Sequence, residues 1–389
     1  MRILSTAIVR VAAILLPASL RDWGVAMRGE IDAIEGDGPA LQFALGCLGS
    51  ALGEAAFAHF ILPLRLPLGP LSSEGDPTVP IDAHLFRSPR RLAAICAAGA
   101  TGLGLAYMAA GGAPTRYLAI NATALILGFA LAAAALAGAR SGRVEPGPIN
   151  FALGLALLLT SLFGVTVGGA TRWISIGGLS IQPSLILLPA LAVSFARGRD
   201  ALSAAGVGVA ALALAIQPDR AMAGALAAGM AALAIARPER STLATLAGAV
   251  IGLTVTLARP DVEPAMPFVD QIFYSSFDVH PLAGLAVLAG ALLMIAPAVV
   301  GWIRDVDHRD LYLTFGAVWL ATIIAAALGN YPTPLVGYGG SAIIGYVLSL
   351  IGLPRGIDAA ISGRSGSTAP EVGQADMPHD FRAGLSYLA

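Results

Sequence analysis

The chain has 389 residues, 57% of them hydrophobic and only 12% charged, with a formal net charge of −1. A soluble domain carries about 25% charged residues, so a soluble globular fold is excluded, and the near-zero net charge offers no electrostatic footprint for nucleic acid. All 23 basic residues are Arg, which removes any Lys-dependent chemistry.

A membrane-crossing helix needs about 20 mostly apolar residues. In chain order such runs lie near 3–20, 39–63, 91–111, 116–138, 148–167, 182–197, 200–217, 220–237, 240–258, 281–303, 311–329 and 335–353. The expected fold class is all-α, a polytopic integral membrane helical bundle of about 12 transmembrane helices. The first run opens with Arg2 like a signal peptide, but Arg10 interrupts it and no small-x-small cleavage site follows, so it reads as a retained helix. Gly and Ala abound in the runs, which suits close backbone approach between helices in lipid. Cys47 and Cys96 both fall in apolar runs and read as small core residues. Glu54 and His59, five apart in the second run, do not share a helical face and read as packing or partner contacts.

Three regions are expected. Residues 1–90 form an N-terminal extension with two spans and a Pro/Gly/Ser-rich cytoplasmic linker over 64–90. Residues 91–353 hold the other ten spans, and 354–389 a polar tail of disordered composition. With the N-terminus inside, Arg residues favour the cytoplasmic loops by about two to one. Four polar segments then share the outward side: 168–184, Gln217-Pro218-Asp219-Arg220, 259–280 and 330–337.

The first of these, Gly168 to Ser184, sets Arg172 beside Trp173, follows with glycines and ends in Gln182-Pro183-Ser184. Irregular backbone cannot face lipid, so it reads as an interfacial or cavity-lining loop, with Pro183 in the first turn of the next helix. Arg172 is open to two roles, a fork of donors for a phosphate or carboxylate or an interfacial anchor paired with Trp173. Asp219 is open to an N-cap of the helix starting at Arg220 or a place in a cavity. Tyr338-Gly339-Gly340-Ser341 is open to an anion site made of helix-opening amides or a tight turn that requires Gly. The 259–280 loop holds four acids, Asp261, Glu263, Asp270 and Asp278. Asp270 is set among Phe268, Val269, Ile272 and Phe273, neighbours that would desolvate it and raise its pKa. The run Arg304 to Asp310 reads as a solvated loop. No spaced His/Cys metal site is present in the sequence, so no protein-held metal is expected.

Taken together, these segments resemble the SEDS family (shape, elongation, division and sporulation; the RodA/FtsW-type proteins). The 168–184 segment is similar to its Gly-Ala-Arg-Arg-Trp-Ile … Gln-Pro-Ser-Glu stretch, Gln217-Pro218-Asp219 to its Gln-Pro-Asp, and Asp270-Gln271-Ile272-Phe273 to its Asp-Phe-Ile-Phe. Pro334 to Ser341 is similar to its Pro-Leu-Pro-Phe-x-Ser-Tyr-Gly-Gly-Ser. The resemblance covers about 91–353, which holds ten spans as that family does. It implies a peptidoglycan glycosyltransferase that polymerises lipid II, a disaccharide-pentapeptide on undecaprenyl pyrophosphate, at the outer face of the bacterial cytoplasmic membrane, in division or cell-shape maintenance. It further implies Asp270 as the catalytic base, with Arg172, Trp173, Gln182, Ser184, Asp219, Arg220, Tyr338, Gly339, Gly340 and Ser341 around the substrate. A divalent cation (Mg or Mn) and a single-span transpeptidase partner (a class B penicillin-binding protein) are implied likewise. Two departures weigh against catalysis. Leu185 and Leu188 stand where the family has an acid and a base at the cavity, and Phe268-Val269 replaces its His-Thr. A non-catalytic scaffold of a cell-wall complex and a flippase or transporter for a lipid-linked precursor are the alternative functions.

Overall fold

A computed structural model describes residues 2–16, 20–56, 88–139, 145–259 and 264–354. His59, Asp261 and Glu263, most of the 64–90 linker and nearly all of the 354–389 tail lie outside these residues. The body of the molecule is a helical bundle of a multi-pass membrane protein. Six of its described helices are long and apolar enough to cross a bilayer.

The core elements follow the apolar runs closely. They are α4 (Pro89–Ala110), α5 (Thr115–Gly138), α6 (Pro146–Phe163), α7 (Pro183–Gly198), α8 (Ala201–Ile216), α9 (Arg220–Ala236), α10 (Arg240–Leu257), α12 (Pro281–Arg304), α13 (Arg309–Leu328) and α14 (Gly340–Ser349). Local chemistry sets their starts. Proline occupies the first turn of α4, α6, α7 and α12, where a missing N–H costs nothing. Asp200 caps α8 by accepting from the Ser203 N–H at 2.9 Å. The short turns at 199–200, 217–219 and 237–239 come from such caps, since each ends one helix and starts the next within three residues.

The main helix pairs are α6 with α8, α9 with α13 and α12 with α4, while α14 packs on both α5 and α7. Gly154 of α6 and Gly206 of α8 meet backbone to backbone, leaving no room for a side chain. Gly345 of α14 likewise rests on the Leu185 carbonyl of α7. One apolar cluster gathers around Trp319, Tyr346, Phe315 and Tyr312, another around Phe195, Leu188, Leu214 and Leu226.

One end of the bundle is closed by charge. Asp310, buried at the start of α13, accepts from Arg237 Nε at 3.0 Å and Arg199 Nη1 at 3.4 Å, and Glu239 pairs with Arg199 at 3.4 Å. At the same end Arg90 donates to the Leu353 and Ile351 carbonyls, each at 2.6 Å, fastening the last turn of the described chain.

The N-terminal residues depart from expectation. Instead of one span over 3–20 followed by the next over 39–63, the chain forms α1 (Arg2–Leu15) and then α2 (Arg21–Ala33). Arg2 at the start of α1 donates to the Ile34, Ile31 and Asp32 carbonyls just beyond or at the end of α2, and Gly24 of α2 sits against Ala13 of α1. The two helices are therefore antiparallel neighbours, and α2 returns the chain to the side where α1 began. At about 1.5 Å per residue, α1 reaches only ~21 Å, short of the ~30 Å hydrocarbon layer. Next, α3 (Asp37–Ala56) packs along α1, and this cluster rests on Ala134 and Ala137 near the end of α5. Local rules place Glu54 in α3 but give no reason for the doubling back, which tertiary packing decides.

The segment expected as a loop over 168–181 is instead an antiparallel three-stranded meander: β1 (Val165–Val167), β2 (Ala170–Ile176) and β3 (Leu179–Ile181). Its two connections are the dipeptides Gly168-Gly169 and Gly177-Gly178, with φ of 57°, 84°, 57° and 79°. Positive φ at both central positions is what a type I′ hairpin turn demands, and only Gly adopts it without strain. The first half of β2 pairs with β1 and the second half with β3, with Ile174 opposite Ile181 and Ile176 opposite Leu179.

Candidate functional site

The end of the bundle opposite the Asp310 cluster holds a cavity of about 130 Å³. Its walls come from β2, the starts of α7 and α9, the loop before α11 (Ile272–Val279), the end of α13 and the loop after it. Arg172, Trp173, Gln182, Asp219 and Asp270 all line it. Four sequence segments, more than 150 residues apart at the extremes by chain number, thus converge on one hollow.

Asp270 is buried, with 9% of its surface exposed. Its Oδ2 accepts the Met266 N–H at 2.8 Å, and its own N–H donates to the Met266 carbonyl at 3.0 Å. Burial pushes its pKa above the ordinary carboxylate range, and the Met266 N–H opposes this more weakly. A raised pKa makes the carboxylate a stronger base than a solvated Asp.

The backbone around Asp270 is bent to present it. Phe268 (φ 64°) and Gln271 (φ 55°) on either side, and Leu335 (φ 62°) in the facing loop, adopt the left-handed region without being Gly. Such residues cost energy and persist only when their surroundings hold them. Here Thr333 N–H donates to the Val269 carbonyl at 2.9 Å, Tyr338 N–H to the Phe268 carbonyl at 2.6 Å, and Gln271 Nε2 to Asn330 Oδ1 at 2.6 Å. The two loops are zipped together, and Asp270 is fixed by the zipper.

Arg172 is buried on β2. Its Nη2 donates to the Pro218 carbonyl at 2.8 Å, and its guanidinium carbon lies 5.8 Å from the Trp173 ring centre. Asp219 does both things left open for it. Its Oδ1 accepts the Met222 N–H at 3.2 Å as the cap of α9, and its Oδ2 accepts Gln182 Nε2 at 3.0 Å and Ser184 Oγ at 2.8 Å. Ser184 is not itself on the cavity wall but braces the residue that is. With three donors already on Asp219, its carboxylate is a strut.

Other expected residues lie elsewhere. Arg220 turns away: its Nε donates to the Thr256 carbonyl at 3.2 Å and its Nη2 to the Arg259 carbonyl. The carbonyl end of α10 attracts a cation, so Arg220 belongs to that helix end. Tyr338 stacks on Tyr117 at 3.8 Å. The Gly339 N–H is taken by Asn121 Oδ1 at 3.1 Å, Gly340 opens α14, and Ser341 Oγ accepts the Gln182 N–H at 3.0 Å. None of these four is on the cavity wall; they fix the loop that faces Asp270. Of the two leucines expected at the cavity, Leu185 is on its wall, but Leu188 is wholly buried in the helix core.

Residues not singled out from sequence also line the cavity, among them Met266, Thr322, Asn330, Tyr331 and Pro332. Asn330 to Pro332 lay within an outward segment but carried no motif. Asn121 was missed though a signal existed, an amide inside an apolar run. It is fully buried and grips the loop on both sides, donating to the Gly337 carbonyl at 2.8 Å.

Among the described residues, the donor set does not fit a divalent cation held by protein alone. Such an ion takes about six oxygen ligands. Asp219 has both oxygens occupied by N–H and O–H donors, and Asp270 has one. Among the described residues no group of three His, Cys, Asp or Glu comes together.

No family model matches the chain, and a search of curated proteins finds no match. Among solved structures, the chain is similar to the rod shape-determining protein RodA of Thermus thermophilus. That likeness has 21% identity and a TM-score of 0.47, and it covers 67% of this chain and 93% of that one. It is similar to an Asp-to-Ala mutant of the same protein at 21% identity and a TM-score of 0.48, covering 67% and 94%.

Proposed function

We propose that this chain is a peptidoglycan glycosyltransferase that polymerises lipid II at the outer face of the bacterial cytoplasmic membrane, serving division or cell shape. The observation that carries the reading is a single one. A desolvated carboxylate, Asp270, shares a cavity wall with a buried guanidinium, Arg172, at the end of the bundle away from the arginine-rich loops. The order of the four motif segments along the chain supports it.

In this reading, Asp270 Oδ1 takes the proton of the acceptor sugar hydroxyl while Oδ2 stays on the Met266 N–H. The hydroxyl oxygen forms its bond to the anomeric carbon of the second lipid-linked sugar. The bond from that carbon to the pyrophosphate oxygen breaks, and the pyrophosphate leaves with the electron pair. Arg172 offers positive charge to that leaving group, steadied by the Pro218 carbonyl behind it. Trp173 and Tyr331 provide ring surface on the wall for a sugar face. No step is assigned to a metal ion. A single-span transpeptidase is the partner the sequence resemblance implies.

The test is polymerisation of labelled lipid II by purified protein, with and without the transpeptidase, beside Asp270→Ala. Glycan product from the parent and none from the variant is expected. Absence of product from the parent in both settings would retire the enzyme reading. One observation favours a second reading, a non-catalytic scaffold: apolar Leu185 stands on the cavity wall where the family has an acid. That reading expects no product but retained transpeptidase binding.

A further inference from the structure

We propose that the hairpin Ile174–Ile181 is a membrane-interface anchor that lays an aliphatic face onto the bilayer beside the cavity. Residues opposite each other in a sheet point to the same side, as do residues two apart. The pairing Ile174 with Ile181 and Ile176 with Leu179 therefore puts four aliphatic side chains on one face, and Ser175 opposite Ser180 on the other. The hairpin is amphipathic in the sense required of an element that lies in an interface.

Among the described residues, the turn end of the aliphatic face is open, while Ile181 at its base is half-buried. Ile176 is 59% exposed and Leu179 47%. Aliphatic side chains gain nothing from the hydrophobic effect while their face stands in water, so this face calls for another medium.

The direction of the face identifies the medium. Along β2, Ala170 and Arg172 lie on the same side of the strand as Ile174 and Ile176. The first two are buried against the bundle and the second two are exposed. The side that looks onto the helices thus continues past their edge and looks onto whatever surrounds them, which for a membrane bundle is lipid. The same exposure runs beside it: Leu155, Leu159, Leu162 and Phe163 are exposed down the last turns of α6, which lead directly into β1 and pack on β2. The hairpin's composition agrees. It has no charge and no aromatic residue, whereas protein-binding hot spots favour Trp, Tyr and Arg. A phospholipid interface is therefore the occupant, and Arg172, two residues from Ile174, sits at headgroup level.

The test uses the full chain with Cys47 and Cys96 replaced by Ala. Single cysteines (Ile176→Cys, Leu179→Cys, Ser175→Cys or Ser180→Cys) are labelled with a nitrobenzoxadiazole dye. The proteins are reconstituted in phosphatidylcholine–phosphatidylglycerol vesicles, and circular dichroism checks that each is folded. Lipids carrying a doxyl group near the headgroup are expected to quench most of the emission at 176 and 179, while aqueous iodide quenches at 175 and 180. Iodide quenching at all four positions would overturn the proposal, because the hairpin would stand in water. Resistance of 176 and 179 to both quenchers would overturn it equally, because protein would cover the face. Neither outcome depends on whether the chain polymerises glycan.

Discussion

The two ends of the bundle both bury an aspartate near arginines, and they treat it differently. At the α13 start, Asp310 takes Arg237 and Arg199 directly, and its charge is spent within the protein. At the cavity, Arg172 leans on a main-chain carbonyl, Asp270 on a main-chain N–H, and Asp219 on an amide, a hydroxyl and a cap N–H. Charges that neutralise each other hold helices together. A carboxylate positioned by a neutral main-chain N–H, as Asp270 is, keeps its basicity for something that arrives.

Breaking this contrast gives a graded set of outcomes. The largest is expected at Asp270. Replacing it with Ala removes the general base and should lower polymerisation by about 10²–10⁴-fold, measured as labelled glycan per enzyme, with the melting curve little changed. Arg172→Ala should cost on the order of 10²-fold in turnover through the departing pyrophosphate. Addition of guanidinium ion should return part of that loss if charge is what the site needs.

At the other end, Asp310→Ala should leave catalysis alone and destabilise the bundle by about 1–3 kcal/mol, the scale of lost hydrogen bonds to charged groups. Arg237 is half exposed, which keeps the figure near the lower bound. Denaturation in detergent reads it. If Asp310→Ala instead abolished polymerisation without unfolding, the division of labour between the two ends would be wrong. Asp219→Ala lies between the classes. It removes a helix cap, worth about 0.5–2 kcal/mol, and leaves Gln182 and Ser184 without their acceptor, so it should weaken both stability and activity.

The smallest effect is one of sign. The folded-state pKa of Asp270 is raised by burial, so the folded protein binds this proton more tightly than the unfolded chain does. The associated stability is fully present below the unfolded-state pKa and is lost as pH rises through the folded-state value. Asp270→Asn, which never ionises, should therefore melt slightly above the parent at neutral pH and converge with it in acid. Activity of the parent should fall on acidification through that same raised pKa, because the base becomes protonated.

Packing links the ends to the site as well. Gly345 has no room for a methyl group against the Leu185 carbonyl. Gly345→Ala should push the first turn of α7 and move Gln182 and Ser184 off Asp219, lowering activity with no cavity residue changed.

The sequence by itself determined the membrane bundle, because only helices satisfy their own backbone over a long apolar run. It located the core helices to within a few residues from apolar length, proline and cap signals, as at Pro183 and Asp219. It also held both hairpin turns in plain sight as two Gly-Gly pairs. The alternation of Ile174, Ser175 and Ile176 was a strand signal hidden by the expectation of an all-helical chain.

Tertiary structure alone decided the rest. Nothing local sends α2 back along α1; the Arg2 contacts with carbonyls some 30 residues away do. Nothing local turns Arg220 from the cavity or Leu188 into the core, since each depends on which neighbouring helix end or face is near. Asp270 is the clearest case. Its identity was legible among four loop acids through the resemblance, but its burial and its grip on Met266 exist only where two loops, about 60 residues apart in the chain, zip across each other. Local rules act through neighbours in sequence, and reactivity here is set by neighbours in space.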